Sequence, residues 1–132
     1  MESDEQPNTV ISVLQEEVPD IPDAPRVMTV LIELPPGTPG SPPHRHPGPV
    51  FGYMIEGEML FEVEGEPERV IRAGESLQEA GGDLIHYQAA NNLTDRWSRF
   101  VVFMLVPQGE PFFTLVDQDE LDRRQHLRAP RP

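Results

Sequence analysis

The 132-residue chain contains no cysteine and no lysine. The first absence excludes disulfides, thiolate metal ligands and thiol nucleophiles, so any metal must be held by nitrogen and oxygen donors. The second excludes Schiff-base chemistry and lysine general bases; all ten basic residues are arginine. Against 23 acidic residues they leave a formal net charge of -13, which opposes binding to a phosphate backbone, because that binding draws its affinity from Lys and Arg. Apolar residues are scarce at 37%, and no apolar run approaches the roughly 18 residues of a membrane span. The opening MESDEQPNTV places acidic residues where a secretion signal needs a basic stretch and then an apolar one. The expectation is a soluble, cytoplasmic protein with neither a nucleic-acid nor a membrane partner.

What the chain does have is turn formers. Sixteen prolines and ten glycines in a chain the size of one domain point to short strands joined by stiff loops rather than to helices. Residues 1 to 8 read as a flexible acidic arm, 9 to 116 as a β-barrel, and 117 to 132 as a short helix with a frayed tail. Strands are expected at Val10 to Leu14, Arg26 to Leu34, Val50 to Ile55, Met59 to Glu64, Arg69 to Arg72, Ser76 to Glu79 and Leu84 to Ala89. Arg99 to Val106, RFVVFMLV, is nearly continuous apolar and reads as a central strand buried on both faces. Asp117 with Glu120 three residues on resembles a capping box, and Arg123, Arg124 and Arg128 suit the far end of the helix. The charge runs Glu62 to Glu68 and Asp117 to Asp122 read as solvated faces.

Four histidines carry the chemistry that remains: His44, His46, His86 and His126. In His44-Arg45-His46 the imidazoles are two apart, so in extended backbone they share one face while Arg45 takes the other. The pair sits within Pro35 to Pro49, where seven prolines limit backbone freedom before folding. An H-x-H alone is a weak signal, shared by surface histidines in a proline loop. His86, several strands later, can be brought opposite the pair if the sheet closes. His126, beside Arg124 and Arg128, reads as a surface cation near a helix end.

With these residues in place, the chain resembles the cupin superfamily over roughly residues 26 to 107. The first cupin motif is matched by His44-Arg45-His46, Val50 and Gly57. The second is matched by Gly74, Ala80-Gly81-Gly82, His86 and Asn91. Val50 stands where the family usually has a glutamate ligand, Ala80 replaces a proline, and His86 and Asn91 each follow a gap one residue longer than usual. The resemblance implies an all-β, single-domain, jelly-roll barrel with one short C-terminal helix. It implies one divalent metal ion on His44, His46 and His86, iron foremost, with manganese, nickel, copper or zinc also accepted by such donors. Three neutral imidazoles leave the ion's charge uncompensated, which favours a small organic, anionic ligand. Gln88, on the face of His86 in an unbroken strand, and Tyr53 are the expected substrate-positioning residues; Gln78 and Glu79 are candidates for orienting imidazoles or substrate. Tyr87 reads as packing and Asn91 as turn geometry. Two functions follow: a dioxygenase-like oxidation or a metal-assisted cyclisation or isomerisation, and, as the alternative, non-catalytic ligand binding at a degenerate site. The resemblance also implies a homodimer.

Overall fold

The computed structural model describes residues 9–131; the acidic arm expected over residues 1–8 lies outside them. Among the described residues nine strands follow one another as β1 (Arg26–Leu34), β2 (His44–Arg45), β3 (Val50–Glu56), β4 (Glu58–Val63), β5 (Arg69–Arg72), β6 (Ser76–Glu79), β7 (His86–Asn91), β8 (Ser98–Val106) and β9 (Thr114–Leu115). They form two antiparallel sheets, of order β1-β8-β3-β6 and β5-β4-β7-β2-β9. The inward sets of both sheets meet in one core that includes Leu34, Met54, Met59, Phe61, Ile71 and Phe100. Each such side chain, fully buried, contributes about 1.5–3 kcal/mol.

The strand boundaries follow the turn chemistry. Gly57, at φ 79°, makes the turn by which the chain leaves β3 in the first sheet and enters β4 in the second, so Val50–Glu56 and Glu58–Val63 are not a paired hairpin; a Cβ there would overlap Ser98, whose hydroxyl accepts from the Glu58 N–H at 3.0 Å. In β4 the alternation holds: Met59, Phe61 and Val63 join the core.

Three expectations are corrected. Val10 to Leu14 is not a strand; it runs as irregular chain with Val10 and Val13 exposed. Among the described residues it has no ladder partner; nearby, the Gln15 side chain donates from Nε2 to the Leu77 carbonyl at 2.9 Å. Strand β8 lies between β1 and β3 as expected, but it alternates: Phe100, Val102 and Met104 are buried while Phe103 is 44% exposed on the outer face. Its continuous apolar run therefore serves two surfaces, a core and an open sheet face.

The third correction concerns charge. A helix α1 (Gln118–Arg123) and a 3₁₀ turn (Gln125–Leu127) follow β9, and the Asp117 carboxylate accepts from the Glu120 N–H at 2.9 Å, as the capping pattern requires. This segment packs on the outside of the second sheet through Ile85, Tyr87, Val116 and Leu121. It buries Glu62 and Glu64, which are not a solvated face. Arg128 donates to both Glu62 oxygens at 2.8 and 2.7 Å, and Arg124 to both Glu64 oxygens at 2.9 and 2.5 Å. Such bidentate pairs compensate carboxylates that burial would otherwise penalise.

Candidate metal centre

His44 on β2 pairs directly with His86 on β7, and directly opposed residues of an antiparallel ladder share a face. His46 follows on that face, while Arg45 points outward, donating to the Asp83 carbonyl at 2.9 Å and pairing with Glu120. All three histidines are buried. The ring centroids of His44 lie 4.8 Å from those of both His46 and His86, and one nitrogen from each ring lies within 4.8 Å of the others. The loop that carries His46 is held by glycines: Gly81, at φ 75°, approaches the Gly48 backbone so closely that a Cβ would overlap it, and the Gly82 N–H donates to the His46 carbonyl at 2.7 Å.

Hydrogen bonds decide the tautomers. A carbonyl can only accept, so the ring nitrogen facing it carries the proton. His44 Nδ1 faces the Pro42 carbonyl at 2.8 Å, His46 Nδ1 that of Phe112 at 2.9 Å, and His86 Nε2 that of Gln88 at 2.8 Å. Each ring thus keeps one lone pair: Nε2 of His44, Nε2 of His46 and Nδ1 of His86. His86 Nδ1 is buried with no hydrogen-bond partner among the described residues. Burial also keeps the rings neutral. Desolvation lowers the pKa of His44, partly offset by the Pro42 carbonyl. It takes His46 to about 4 against the Phe112 carbonyl, and takes His86 to about 3 with help from the neighbouring rings. Three neutral imidazoles with convergent lone pairs, each braced by a backbone acceptor, suit a divalent ion.

A carboxylate shares the site. Glu79 on β6 pairs directly with Val50 on β3, so the two side chains share the inner face. Its Oε2 lies 3.2 Å from His86 Nδ1 and 3.7 Å from His46 Nε2. Burial pushes its carboxyl up to about 8. Glu79 was expected, with Gln78, to orient imidazoles or substrate; the further signal that it faces inward is its place on the same strand face as the core residue Leu77. Phe112 and Phe113 were missed altogether. They come from the segment before β9, where Phe113 meets His44 edge-on at 5.7 Å and the Phe112 carbonyl holds His46.

The two expected positioning residues are elsewhere. Between Glu62↔Gln88 and Val63↔His86 the β4–β7 register shifts by one residue. This bulge at Tyr87 turns Gln88 to the outer face, where its Nε2 donates to Glu62 and Glu68 at 2.7 Å each. Tyr53 also faces outward, 41% exposed, between the inward Gly52 and Met54. Tyr87 packs under the Arg128 guanidinium, 4.2 Å from its ring centroid. Asn91 ties the far ends of strands together, donating to the Leu34, Pro35 and Arg96 carbonyls, and His126 is exposed.

The histidines and Glu79 stand at one side of a cavity of about 260 Å³ whose remaining walls include Val30, Ile32, Phe61, Phe100, Met104 and Phe112. No arginine lines it. A double-sheet antiparallel barrel with an internal cluster of histidines defines a class of small β-barrel proteins. Within that class the chain belongs to the cupin superfamily: the cupin domain profile matches residues 30–104.

Solved structures agree on the fold. The chain is similar to oxalate oxidase bound to the substrate analogue glycolate, at 26% identity and TM-score 0.56, over 79% of this chain and 57% of that one. It is similar to a cupin-like protein of Thermotoga maritima, at 14% identity and TM-score 0.57, over 77% and 73%. It is also similar to the DMSP lyase of Ruegeria pomeroyi, at 23% identity and TM-score 0.55, over 68% of this chain; the chain spans 43% of that lyase. No curated protein sequence matches the chain. Among the described residues no helix is long and apolar enough to cross a membrane.

Proposed function

We propose that this cupin is a metal-dependent enzyme acting on a small organic molecule, with one divalent ion, iron foremost, held by His44, His46 and His86. The observation that carries the reading is the set of three buried ring nitrogens, each freed for coordination by a hydrogen bond from the opposite nitrogen to a carbonyl. A bound divalent ion would supply Lewis acidity toward a carbonyl or enolate, or the redox capacity for a dioxygen-dependent oxidation. The chain's own residues would do the rest. The backbone acceptors hold the rings in place, the apolar walls exclude water and receive the substrate's hydrocarbon part, and Phe113 covers His44. The cavity is smaller than the roughly 300–1,000 Å³ usual for drug-sized ligands, which favours a small metabolite.

Elemental analysis of protein purified without a metal-affinity column tests this. The expected result is about one equivalent of metal per chain in the parent and little in the His44→Ala/His46→Ala variant. Equal metal content in a folded variant would remove the reading. The second reading, non-catalytic capture of an apolar ligand, is favoured by the apolar walls and by Val50 in place of a carboxylate; it expects ligand binding to survive chelation. Pairing into a homodimer belongs to the same proposal. The outer face of the first sheet exposes Leu31, Tyr53 and Phe103, and its Arg99 is neutralised by Glu33 and Glu56. A second copy offers a matching flat apolar face, and light scattering on Phe103→Glu against the parent measures it.

A further inference from the structure

The Val50 position is where a carboxylate is missing from the cupin pattern, and its direct cross-strand partner is a glutamate. We propose that Glu79 is a fourth metal-binding side chain, a carboxylate displaced from β3 to the facing position on β6, and that the site consequently takes a singly charged organic anion. This rests on the metal reading above and extends it.

Geometry carries the argument. Glu79 is 7% exposed, with no arginine beside it and, among the described residues, no side-chain cation other than a protonated histidine within reach. Its Oε2 stands 3.2 Å from His86 Nδ1, yet that nitrogen has no hydrogen-bond partner. The two atoms are close without a hydrogen bond between them, which leaves both the carboxylate oxygen and the ring lone pair available to an ion. Ligand bonds of about 2.1 Å separated by about 90–110° place neighbouring donor atoms about 3.0–3.4 Å apart. The Glu79 separations, 3.2 Å to His86 and 3.7 Å to His46, lie in or close to that range. A structural role would need a partner, since buried carboxylates elsewhere in this chain are held by arginine.

Charge then constrains the substrate. A divalent ion with one carboxylate and three neutral rings keeps a single positive charge in a cavity that no arginine lines. One negative charge on the substrate, such as a carboxylate or an enolate, neutralises it, whereas a second would be buried uncompensated.

The test titrates metal-free protein with Co²⁺ against a competing chelator, comparing the parent, Glu79→Gln, the swap Val50→Glu/Glu79→Val, and His46→Ala. Thermal melts certify that each variant is folded. Glu79→Gln is expected to weaken Co²⁺ binding by about tenfold or more and to change its visible spectrum, and the swap to restore both. Glu79→Gln binding like the parent while His46→Ala has lost the ion overturns the assignment and leaves the three-histidine reading standing. So does a folded swap variant that fails to recover. Should the swap not fold, the Co²⁺ spectrum of Glu79→Gln decides, an unchanged band shape overturning it. A parent that binds no Co²⁺ removes the metal reading itself.

Discussion

Glu62 and Glu79 are both buried glutamates, one on each sheet, and the chain treats them in opposite ways. Glu62 lies on the outside of the second sheet under the C-terminal segment. Burial would raise its pKa, but hydrogen bonds from Arg128 and Gln88 outweigh that and hold it below the ordinary value. Glu79 lies inside the barrel, and burial alone pushes it up to about 8. The outer carboxylate is compensated by its own chain and serves to dock α1 and the turn that follows. The inner one has only His46 and His86 near it and no arginine, among the described residues. A buried charge with its partner is architecture; a buried carboxyl without one is what the metal proposal builds on.

The largest expected effect breaks the outer half of that comparison. Arg128→Ala leaves Glu62 buried beside a weaker contact, and should cost about 3 kcal/mol of unfolding free energy in urea while metal content stays near that of the parent. A loss of metal without a loss of stability would show that the two regions are not separate.

Next comes the pH dependence of the metal-free protein, which isolates the inner half. Between about pH 7 and 8 His44, His46 and His86 are largely neutral whether folded or not, while Glu79 keeps a proton when folded that it gives up when unfolded. Stability should therefore fall as pH rises, by on the order of 1 kcal/mol per pH unit. Below about pH 6.5 the sign reverses. Unfolding lets His46 and His86 take up protons that the native state refuses until about pH 4 and about pH 3, so acid also destabilises. Melting temperatures in chelator should peak near pH 6.5, and Glu79→Gln should remove only the alkaline decline.

Smaller effects sharpen the placement of the two residues that lie outside the cavity. Gln88→Ala loses two hydrogen bonds on the outer face and should cost about 1 kcal/mol in urea without altering metal content. Tyr53→Phe should change stability by less than about 0.5 kcal/mol and leave metal content and ligand binding untouched. A marked loss of metal in either variant would return that residue to the site.

Much of the barrel was legible because its signals are local. Arg26 to Leu34, Arg69 to Arg72 and Ser76 to Glu79 are strands at the expected residues; the first two are rich in β-branched residues, and the third is short and set off by the turns at Gly74 and Gly81. The facing of His44 and His46 followed from a period of two, and Asp117 announced the helix. The short strands β2 and β9 did not show, because two residues carry no period; they exist only as partners of each other and of β7. Val10 to Leu14 has strand composition but no described strand to pair with.

The amino-acid order by itself determined the strand-and-turn alternation, the absence of thiol and lysine chemistry, and the three histidines able to reach one point. Only the tertiary structure decided which atoms of those rings are free, that a bulge at Tyr87 sends Gln88 outward, that Arg128 and Arg124 bury Glu62 and Glu64, and that Glu79 faces Val50. The reason is physical: periodicity and turn propensity act between neighbours in sequence. Register, bulges and charge compensation are settled between residues far apart in the chain, and exist only once the two sheets have closed on each other.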